Sequence, residues 1–412
     1  MKTDISPLCV AILGGGPAGL MAAELLAKKG VKVTVYDQMP TVGRKFMMAG
    51  RGGLNLTHSE PLAAFLARYR AAAPWLEPVL QAFPPAALRD WADSLGAETF
   101  VGSSGRVFPK QLKASPLLRA WLQRLDKLGV NFALRHRWNG WGADGALLLT
   151  DAVGQEVRVH ADATLLALGG ASWPRLGSDG GWVEKLRGQG VKVATLRPAN
   201  CGFVAPWSAV FRDRFAGQPV KPLKASFAGQ SLQGEAMITA TGLEGGIIYA
   251  LSAPLRDAIE QKGEAIIELD LRPGLSRDEL VSRLQAPRGG QSVSNYLRKV
   301  TGVSPVALGL MRESLGGAVL PVTEEGIADL MKHTKIKLTA TTSLARAISS
   351  AGGIVRDEVN PDFMLNKKAG VFVCGEMLDW EAPTGGYLLQ GCFSTAVAAA
   401  KGIEAYLMSS AA

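Results

Sequence analysis

A glycine-rich turn, GGGPAG at residues 14–19, constrains the fold of this chain more than any other feature. An apolar segment typical of a buried strand, Cys9 to Leu13, precedes it. A helical pattern from Leu20 to Lys29 and a second strand pattern from Val31 to Tyr36 follow it. Strand, tight turn, helix and strand in this order open a doubly wound parallel sheet. The predicted fold class is therefore α/β.

Three glycines of this turn, Gly14, Gly16 and Gly19, match the G-x-G-x-x-G fingerprint of dinucleotide binding. The first permits a tight turn, the second lets the backbone approach a pyrophosphate, and the third lets the helix pack closely on the strand. The phosphates are expected at the helix N-terminus, whose free N–H groups and dipole favour anions. Asp37 follows the second strand pattern, where a carboxylate accepts hydrogen bonds from ribose hydroxyls.

The composition favours a protein of several domains with a phosphate-rich ligand. Its 412 residues exceed the length at which a single core usually stops growing, so two or three domains are expected. The 48 glycines lie well above the usual share of roughly 7%. The net charge is +9, but the basic residues are scattered without a Lys/Arg block, so nucleic acid is not expected as a partner. A phosphate-rich cofactor would offset part of the charge.

Metal, thiol and hydrolytic chemistry are not indicated. The four histidines lack metal-ligand spacing, and there is no Ser-His-Asp or nucleophile-elbow arrangement. The cysteines form no CxxC pair; they are Cys9, Cys201, Cys374 and Cys392. So few thiols favour a reducing, cytoplasmic compartment, and no segment predicts a membrane span. The sequence indicates no oligomeric state.

Further glycine-rich segments are expected to meet at the same ligand. Residues 43–58 combine glycines with two cations and can hold the second face of a pyrophosphate or flank a flavin ring. Residues 163–170 form a strand pattern that ends in two glycines. Near the C-terminus a strand runs into Gly375 and Glu376, whose carboxylate can accept from ribityl hydroxyls, and residues 384–388 can place backbone donors near a flavin pyrimidine.

The middle of the chain has a different texture. Strand-like segments dominate residues 191–271, short helical segments follow in 276–335, and no second dinucleotide fingerprint occurs there. We therefore expect one nucleotide-binding domain made from residues 1–190 and 346–412, with an inserted substrate region at 191–345.

Six ordered motifs resemble those of the bacterial flavoprotein family that includes aminoacetone oxidase-like and bile-acid reductase-like enzymes. They are GGGPAG, GRKFMMAGRGGLNLTH, GRVFPKQLKAS, ALGGASWP, SAGGI and CGEMLDWEAPTGGYLLQ. The resemblance covers nearly the whole chain. It implies a doubly wound, glutathione-reductase-like FAD-binding domain, an inserted β-barrel-like and helical region, and noncovalent FAD.

The resemblance implies cofactor contacts at ten matching positions: Gly14, Gly16, Gly19, Asp37, Arg44, Lys45, Gly375, Glu376, Gly385 and Gly386. Neighbouring residues of the same turns complete the predicted cofactor site: Pro17, Ala18, Gln38, Gly52, Asn55, Gly169, Thr384, Tyr387 and Leu388. There is also a departure. Where many family members have Gly-Gly-Gly-Arg-Cys-Asn, this chain has GRGGLN, with Leu54 at the position of the cysteine.

These observations predict an FAD-dependent oxidoreductase that transfers a hydride between flavin N5 and a small organic substrate bound at the interface with the inserted region. No catalytic residue is assigned; the candidates for lining the substrate pocket are Asn55, Trp173, Arg175 and Tyr387. NAD(P)H can visit the flavin face as electron donor, although no second fingerprint predicts a domain for it. Two alternatives remain open: an amine oxidase-type flavoenzyme that uses O2, and an FAD-containing protein that binds or modifies RNA.

Overall fold

The elements predicted around the first glycine turn form in order in this computed structural model, which describes residues 8–50 and 52–410. Arg51, in the predicted glycine cluster, lies outside the described residues. Up to residue 199 the strands are β1 (Cys9–Leu13), β2 (Lys32–Asp37), β3 (Thr57–His58), β4 (Phe100–Val101), β5 (Arg106–Phe108), β6 (Asn131–Leu134), β7 (Arg137–Trp141), β8 (Leu147–Thr150), β9 (Glu156–Val159), β10 (Ala163–Leu166) and β11 (Val193–Ala199). The helices of this stretch are α1 (Pro17–Lys28), α2 (Arg44–Ala49), α3 (Leu62–Ala67), α4 (Ala73–Ala82), α5 (Pro85–Asp93), α6 (Ala114–Lys127) and α7 (Val183–Arg187).

The remaining elements follow in two groups. Strands of the first group are β12 (Phe203–Val204), β13 (Pro219–Phe227), β14 (Gln230–Ile238), β15 (Gly242–Glu244), β16 (Ala265–Asp270), β17 (Thr334–Leu338) and β18 (Ala340–Thr341). Its helices are α8 (Ala209–Phe215), α9 (Gly246–Ala250), α10 (Ser252–Lys262), α11 (Arg277–Leu284), α12 (Val293–Thr301), α13 (Pro305–Ser314) and α14 (Glu324–Lys332). The second group is β19 (Ser349–Ile354), β20 (Val371–Val373) and α15 (Tyr387–Ser410).

Two compact units share these elements, and both ends of the chain contribute to one of them. Unit one consists of the described residues up to Arg197 and from Ser349 onwards, and unit two of Pro198–Ile348. The boundaries predicted from the sequence lie after residues 190 and 345.

A parallel sheet of five strands organises unit one, which confirms the predicted doubly wound α/β fold. Its strand order is β20-β10-β1-β2-β6, and the pairings are parallel. The central strands β1 and β10 are almost entirely apolar because helices cover both faces of such a sheet. Since the strands run in one direction, the glycine-rich turns after β1, β10 and β20 leave from a single edge, where doubly wound folds bind their ligands.

Helix α15 packs against α1 and α4 within unit one. Small residues make this approach possible, since Ala22 and Ala23 on α1 and Ala396 and Ala399 on α15 are all buried. Although α15 has 24 residues, no helix in the described ranges has the length and apolarity needed to cross a membrane.

A curled antiparallel sheet forms the centre of unit two. Its strand order is β17-β16-β13-β14-β15-β12-β18. β17 and β18 are at opposite ends of this order, although only Thr339 separates them along the chain. The two edges therefore come together, as in the barrel-like region that the resemblance implies. The helices α11 to α13 bury Leu280, Leu297 and Leu310 in the core of the same unit.

The sequence predicts that strand-like segments dominate residues 191–271; the structure has β11 to β16 in that range and, in addition, the helices α8, α9 and α10. α8 has seven residues and α9 has five, which is too short for a helical period to stand out in the sequence. The predicted helical range 276–335 holds α11 to α14, but its last two residues belong to β17.

A buried carboxylate joins three helices of unit one. Glu24 on α1 is fully buried and accepts hydrogen bonds from Lys28 (2.5 Å), from Trp91 Nε1 on α5 (3.0 Å) and from Arg124 on α6 (3.1 Å). Burial opposes the charge of Glu24, but these bonds together outweigh it and lower the pKa of the carboxyl. The ionised form is therefore the one that stabilises the fold.

We expect Glu24→Gln to lower the free energy of unfolding by about 2 kcal/mol at neutral pH, less than the roughly 3–5 kcal/mol of a fully buried pair because Lys28 stays half exposed. A lowered pKa stabilises the fold above the ordinary range of a glutamate and ceases to do so as pH falls through the folded value. The difference between parent and variant in urea unfolding should therefore shrink on acidification. The control is Glu98→Gln, which removes an exposed pair with Lys110 and should cost much less; equal losses would contradict the assignment.

Candidate cofactor site

The turn after β1 uses its three fingerprint glycines in three different ways. Gly14 has a φ of +106°, and a Cβ there would lie 2.3 Å from the carbonyl oxygen of Ala167. A Cβ on Gly19 would lie 2.0 Å from the carbonyl oxygen of Gly14, so α1 packs too closely on the turn to accept a side chain. At Gly16, in contrast, no described atom lies within 4 Å of a Cβ position. Since Gly16 is the N-cap of α1, this open space lies at a helix N-terminus, where pyrophosphates bind.

Asp37 ends β2 beside this turn. One carboxylate oxygen accepts a hydrogen bond from the Gly15 N–H and the other from the Met39 N–H, each at 2.8 Å. Burial raises the pKa of Asp37 above its ordinary value, although the two N–H donors oppose the shift. Each oxygen accepts one of these bonds, which leaves further lone pairs for the ribose hydroxyls that the sequence predicts here.

Glu376 lies where several glycine-rich segments of unit one meet. One of its oxygens accepts from Lys45 Nζ (2.8 Å) and the other from the N–H of Ser350 (2.8 Å). Lys45 also donates to Ser172 Oγ, at 2.9 Å. The sequence assigns Glu376 to a ribityl chain; in the structure its carboxylate also joins α2 and β19. Removing it would therefore loosen the site as well as remove an acceptor.

The turn before α15 approaches β3 more closely than any side chain allows. Gly386 has a φ of +92°, and a Cβ there would lie 2.5 Å from Thr57 Cα. Behind the turn, the Tyr69 hydroxyl donates to the carbonyl oxygen of Tyr387 at 2.7 Å. The start of α15, whose first N–H groups lack partners within the helix, therefore lies beside β3.

Tyr387 is part of a polar cluster that the sequence did not predict in full. Its hydroxyl donates to Glu60 at 2.6 Å, and Arg68 donates to both oxygens of the same carboxylate at 3.0 and 2.8 Å. The ring of His58 stacks on that of Tyr387 with centroids 5.5 Å apart. Burial opposes the charge of Glu60, but the bonds from Arg68 and Tyr387 outweigh it and lower its pKa. Burial and the bond to Glu60 raise the pKa of Tyr387 well above its ordinary value.

Glu60 and Arg68 were missed for different reasons. Glu60 lies two residues beyond the predicted glycine-rich segment, so a longer window would have included it. Arg68 follows α3, where nothing in the local pattern distinguishes it from a solvated charge.

Trp173 and Arg175 lie on a turn that contacts the loop after β2, since Gln38 Nε2 donates to the carbonyl oxygen of Gly177 at 2.8 Å. The guanidinium of Arg175 lies 5.0 Å from the centroid of the Trp173 ring, and Arg175 is exposed. These two candidates are therefore placed on the side of Asp37, the predicted ribose end. Asn55 lies two residues before Thr57, the residue whose backbone Gly386 approaches.

Three buried polar atoms of these segments have no hydrogen-bond partner among the described residues: Arg44 Nε, Asn55 Oδ1 and Ser178 Oγ. An unpaired buried polar atom costs about 1–3 kcal/mol, so a bound ligand that pairs it is favoured. Four more such atoms lie outside the glycine-rich turns, on Trp121, Trp138, Arg272 and Glu358. FAD carries phosphates, hydroxyls and ring carbonyl and N–H groups, so the donors and acceptors present fit it. No three His, Cys, Asp or Glu side chains in the described part of the chain group as they would around a metal ion.

The parallel sheet, the open turn at Gly16 and the second glycine turn before α15 define a Rossmann-type dinucleotide-binding protein. The chain belongs to the HI0933-like family, because the model of the HI0933-like protein Rossmann domain matches residues 8–402. This confirms the predicted family and fold, and with them the class of FAD-dependent oxidoreductases.

Relatives match the chain over most of its length. It is 25% identical over 404 residues to the 3-dehydro-bile acid Δ(4,6)-reductase of Clostridium scindens, covering 94% of this chain and 96% of that one. It is 24% identical over 423 residues to a ribosomal RNA dihydrouridine synthase of Haemophilus influenzae, covering 95% and 98%. Among solved structures, the 3-ketosteroid Δ1-dehydrogenase of Sterolibacterium denitrificans matches with a TM-score of 0.51 at 12% identity, covering 96% and 99%. This last likeness supports the fold alone.

The different surroundings of Gly16 and Gly19 predict that an added methyl group lowers FAD affinity at Gly16 and thermal stability at Gly19. We expect Gly16→Ala to fold, because alanine at this N-cap costs at most about 1 kcal/mol and the Cβ meets open space. Its affinity for FAD should fall by at least about tenfold, since the methyl group occupies the space predicted for the pyrophosphate. Gly19→Ala is the matched comparison and should lower the melting temperature of the FAD-free protein. Thermal melting and FAD titration measure the two effects; a Gly16→Ala variant that binds FAD like the parent would contradict the site.

Proposed function

We propose that this protein is an FAD-dependent reductase of carbon–carbon double bonds conjugated to a carbonyl group, with NAD(P)H as electron donor. The observation that carries the proposal is that relatives aligned over at least 94% of this chain are named for the same bond chemistry on different substrates. A 3-dehydro-bile acid with double bonds at positions 4 and 6 is a conjugated ketone. Dihydrouridine is uridine with two hydrogens added to a ring double bond conjugated to a carbonyl. Each reduction adds one hydride and one proton.

FAD, when bound, supplies the hydride from its N5. Gly16 and the first turn of α1 would hold the pyrophosphate, Asp37 the ribose and Glu376 the ribityl chain. The first turn of α15, from Tyr387, would present N–H groups to the pyrimidine edge. The positive end of the helix dipole there favours negative charge, so this turn would stabilise electron density on the pyrimidine.

The surroundings of Tyr387 favour an orienting role over proton transfer. Its raised pKa makes the hydroxyl a weak acid at neutral pH, and Glu60 and Arg68 hold it in one position. Leu54 offers no acid where many family members have a cysteine. Asn55 differs, because its buried carboxamide oxygen has no partner among the described residues and can accept an N–H from the flavin ring or from the substrate.

A second candidate function differs in the substrate and keeps the bond chemistry. Two of the relatives are named ribosomal RNA dihydrouridine synthases, from Haemophilus influenzae and Escherichia coli. The net charge of +9 suits a polyanionic partner. The substrate would then be a uridine base within RNA, which must leave its stack to reach the flavin.

We expect Asn55→Ala to weaken FAD binding or raise the KM of the substrate about 3- to 10-fold, the equivalent of one hydrogen bond. Tyr387→Phe should change kcat less than about 3-fold, because the hydroxyl orients Glu60 and is not expected to supply a proton. FAD titration and steady-state kinetics on both variants measure this. A fall in kcat of a hundredfold in Tyr387→Phe would assign proton transfer to the tyrosine instead.

Anaerobic mixing of the FAD-loaded protein with NADPH or NADH tests the proposed reaction. We expect bleaching of the visible flavin band, followed by reoxidation when a 3-oxo-Δ4,6-steroid acid or another conjugated enone is added. Reoxidation by uridine-containing RNA, with a mass gain of two hydrogens per modified base, would favour the second candidate. Oxygen consumption with amines and no bleaching by either nicotinamide would overturn both and support an amine oxidase.

A further inference from the structure

A cavity of about 510 Å³ lies in unit two, between the end of α12 and the start of α13. We refer to it as the α12–α13 cavity; it is lined by Asn295, Arg298, Lys299, Gly302, Val303, Ser304 and Pro305. None of these residues belongs to the predicted cofactor segments. Its lining combines apolar and polar groups and includes two cations, Arg298 and Lys299.

The sequence around this cavity has an unusual charge pattern. From Leu280 to Arg312 there are five basic residues and no acidic residue. The basic residues are all exposed; they are Arg283, Arg288, Arg298, Lys299 and Arg312. The first four form no ion pair in the described part of the chain. Other cations of unit two do form ion pairs: Arg277 with Asp329, Lys332 with Asp270, and Lys337 with Glu264.

The lining of the cavity also provides hydrogen-bond donors. Ser304 is the N-cap of α13, and its Oγ accepts from the N–H of Ala307 at 3.3 Å, so its own proton is available to a ligand. Arg272 donates to the carbonyl oxygen of Gly302 at 3.0 Å, and its Nε is buried without a partner among the described residues. Three cationic side chains, Arg272, Arg298 and Lys299, therefore lie in or beside the cavity. Arg298 and Lys299 lie in the last turn of α12, where the negative end of the helix dipole favours cations. The dipole does not neutralise their charge.

We infer that the α12–α13 cavity and the basic segment from Leu280 to Arg312, which contains no acidic residue, bind phosphate groups of an RNA backbone. Exposed, unpaired cations with adjacent hydroxyl and amide groups are the side chains that contact phosphates. Arg283 and Arg288 add two exposed cations in the preceding stretch of the chain, and several cations fit the phosphates of a polymer better than one small anion. The inference rests on the second candidate function, in which the substrate is a base within RNA.

The test uses the full-length, FAD-loaded protein and a labelled RNA hairpin that contains uridine, with binding measured by fluorescence anisotropy over a salt series. We expect Arg298→Gln/Lys299→Gln to weaken binding about tenfold at low salt and to reduce the slope of log Kd against log salt by about 2, because each removed cation leaves one phosphate without its protein partner. The matched control, Lys335→Gln/Lys337→Gln, removes the same charge from exposed positions of β17 and should weaken binding less than about 3-fold. Thermal melting of each variant establishes that it is folded.

The outcomes separate this inference from the proposed function. Equal weakening in both double variants, or none in Arg298→Gln/Lys299→Gln, would overturn the surface as the RNA site, even if the parent still reduces uridine in RNA. The inference would also be overturned if inorganic phosphate or NADPH displaced the hairpin at concentrations similar to that of the hairpin. The site would then bind a single phosphate group and not an RNA backbone. All variants should reduce a small enone at the parental rate. A parent protein that reduces enones but binds no RNA would overturn the inference and leave the leading function intact.

Discussion

The contact between the backbone of Gly19 and that of Gly14 is the constraint on which the nucleotide-binding unit depends. A Cβ on Gly19 would meet the Gly14 carbonyl oxygen at 2.0 Å, so α1 can begin directly above the edge of the sheet only because no side chain is present. That approach aims the helix N-terminus at the open space beside Gly16. The same device recurs at the turn before α15, where Gly386 packs against the backbone of Thr57. Two helices, α1 and α15, are thereby directed from their N-termini, which concentrates free N–H groups and positive dipole ends in one region.

Side-chain interactions then join the segments that the glycines bring close. Glu376 links Lys45 to the backbone of Ser350, residues that are far apart in the sequence. The pairs are partly exposed, so their contribution to the free energy of unfolding is modest. Their greater effect is geometric, because they hold the turns after different strands at fixed separations. A cofactor site built in this way needs few residues that contact the ligand and many that fix the backbone around it.

The chemistry of a flavoprotein follows from the cofactor more than from a dedicated set of acids and bases. The polar cluster of Tyr387, Glu60 and Arg68 has the character of a support, since the groups satisfy one another and the tyrosine retains its proton. A flavin that supplies the hydride leaves the protein to select the substrate. Unit two, with its curled antiparallel sheet and its segment without acidic residues between Leu280 and Arg312, is the part of the chain for which we infer RNA binding.

Much of unit one was predictable because its signals are local. The spacing of Gly14, Gly16 and Gly19, an apolar strand on one side and a helical period on the other, determined by itself that the chain would open a doubly wound sheet with a dinucleotide site. The sequence could not show α8 and α9, since helices of seven and five residues carry too short a period. Nor could it show that Arg68 reaches Glu60 and that Glu60 receives the hydroxyl of Tyr387. Those contacts join residues up to 327 positions apart, and only the folded backbone decides which distant side chains meet. The sequence thus determined the cofactor class, because a nucleotide turn is built from consecutive residues. The tertiary structure decided which side chains support that turn and which cations are left without partners, because burial and pairing depend on how the whole unit packs.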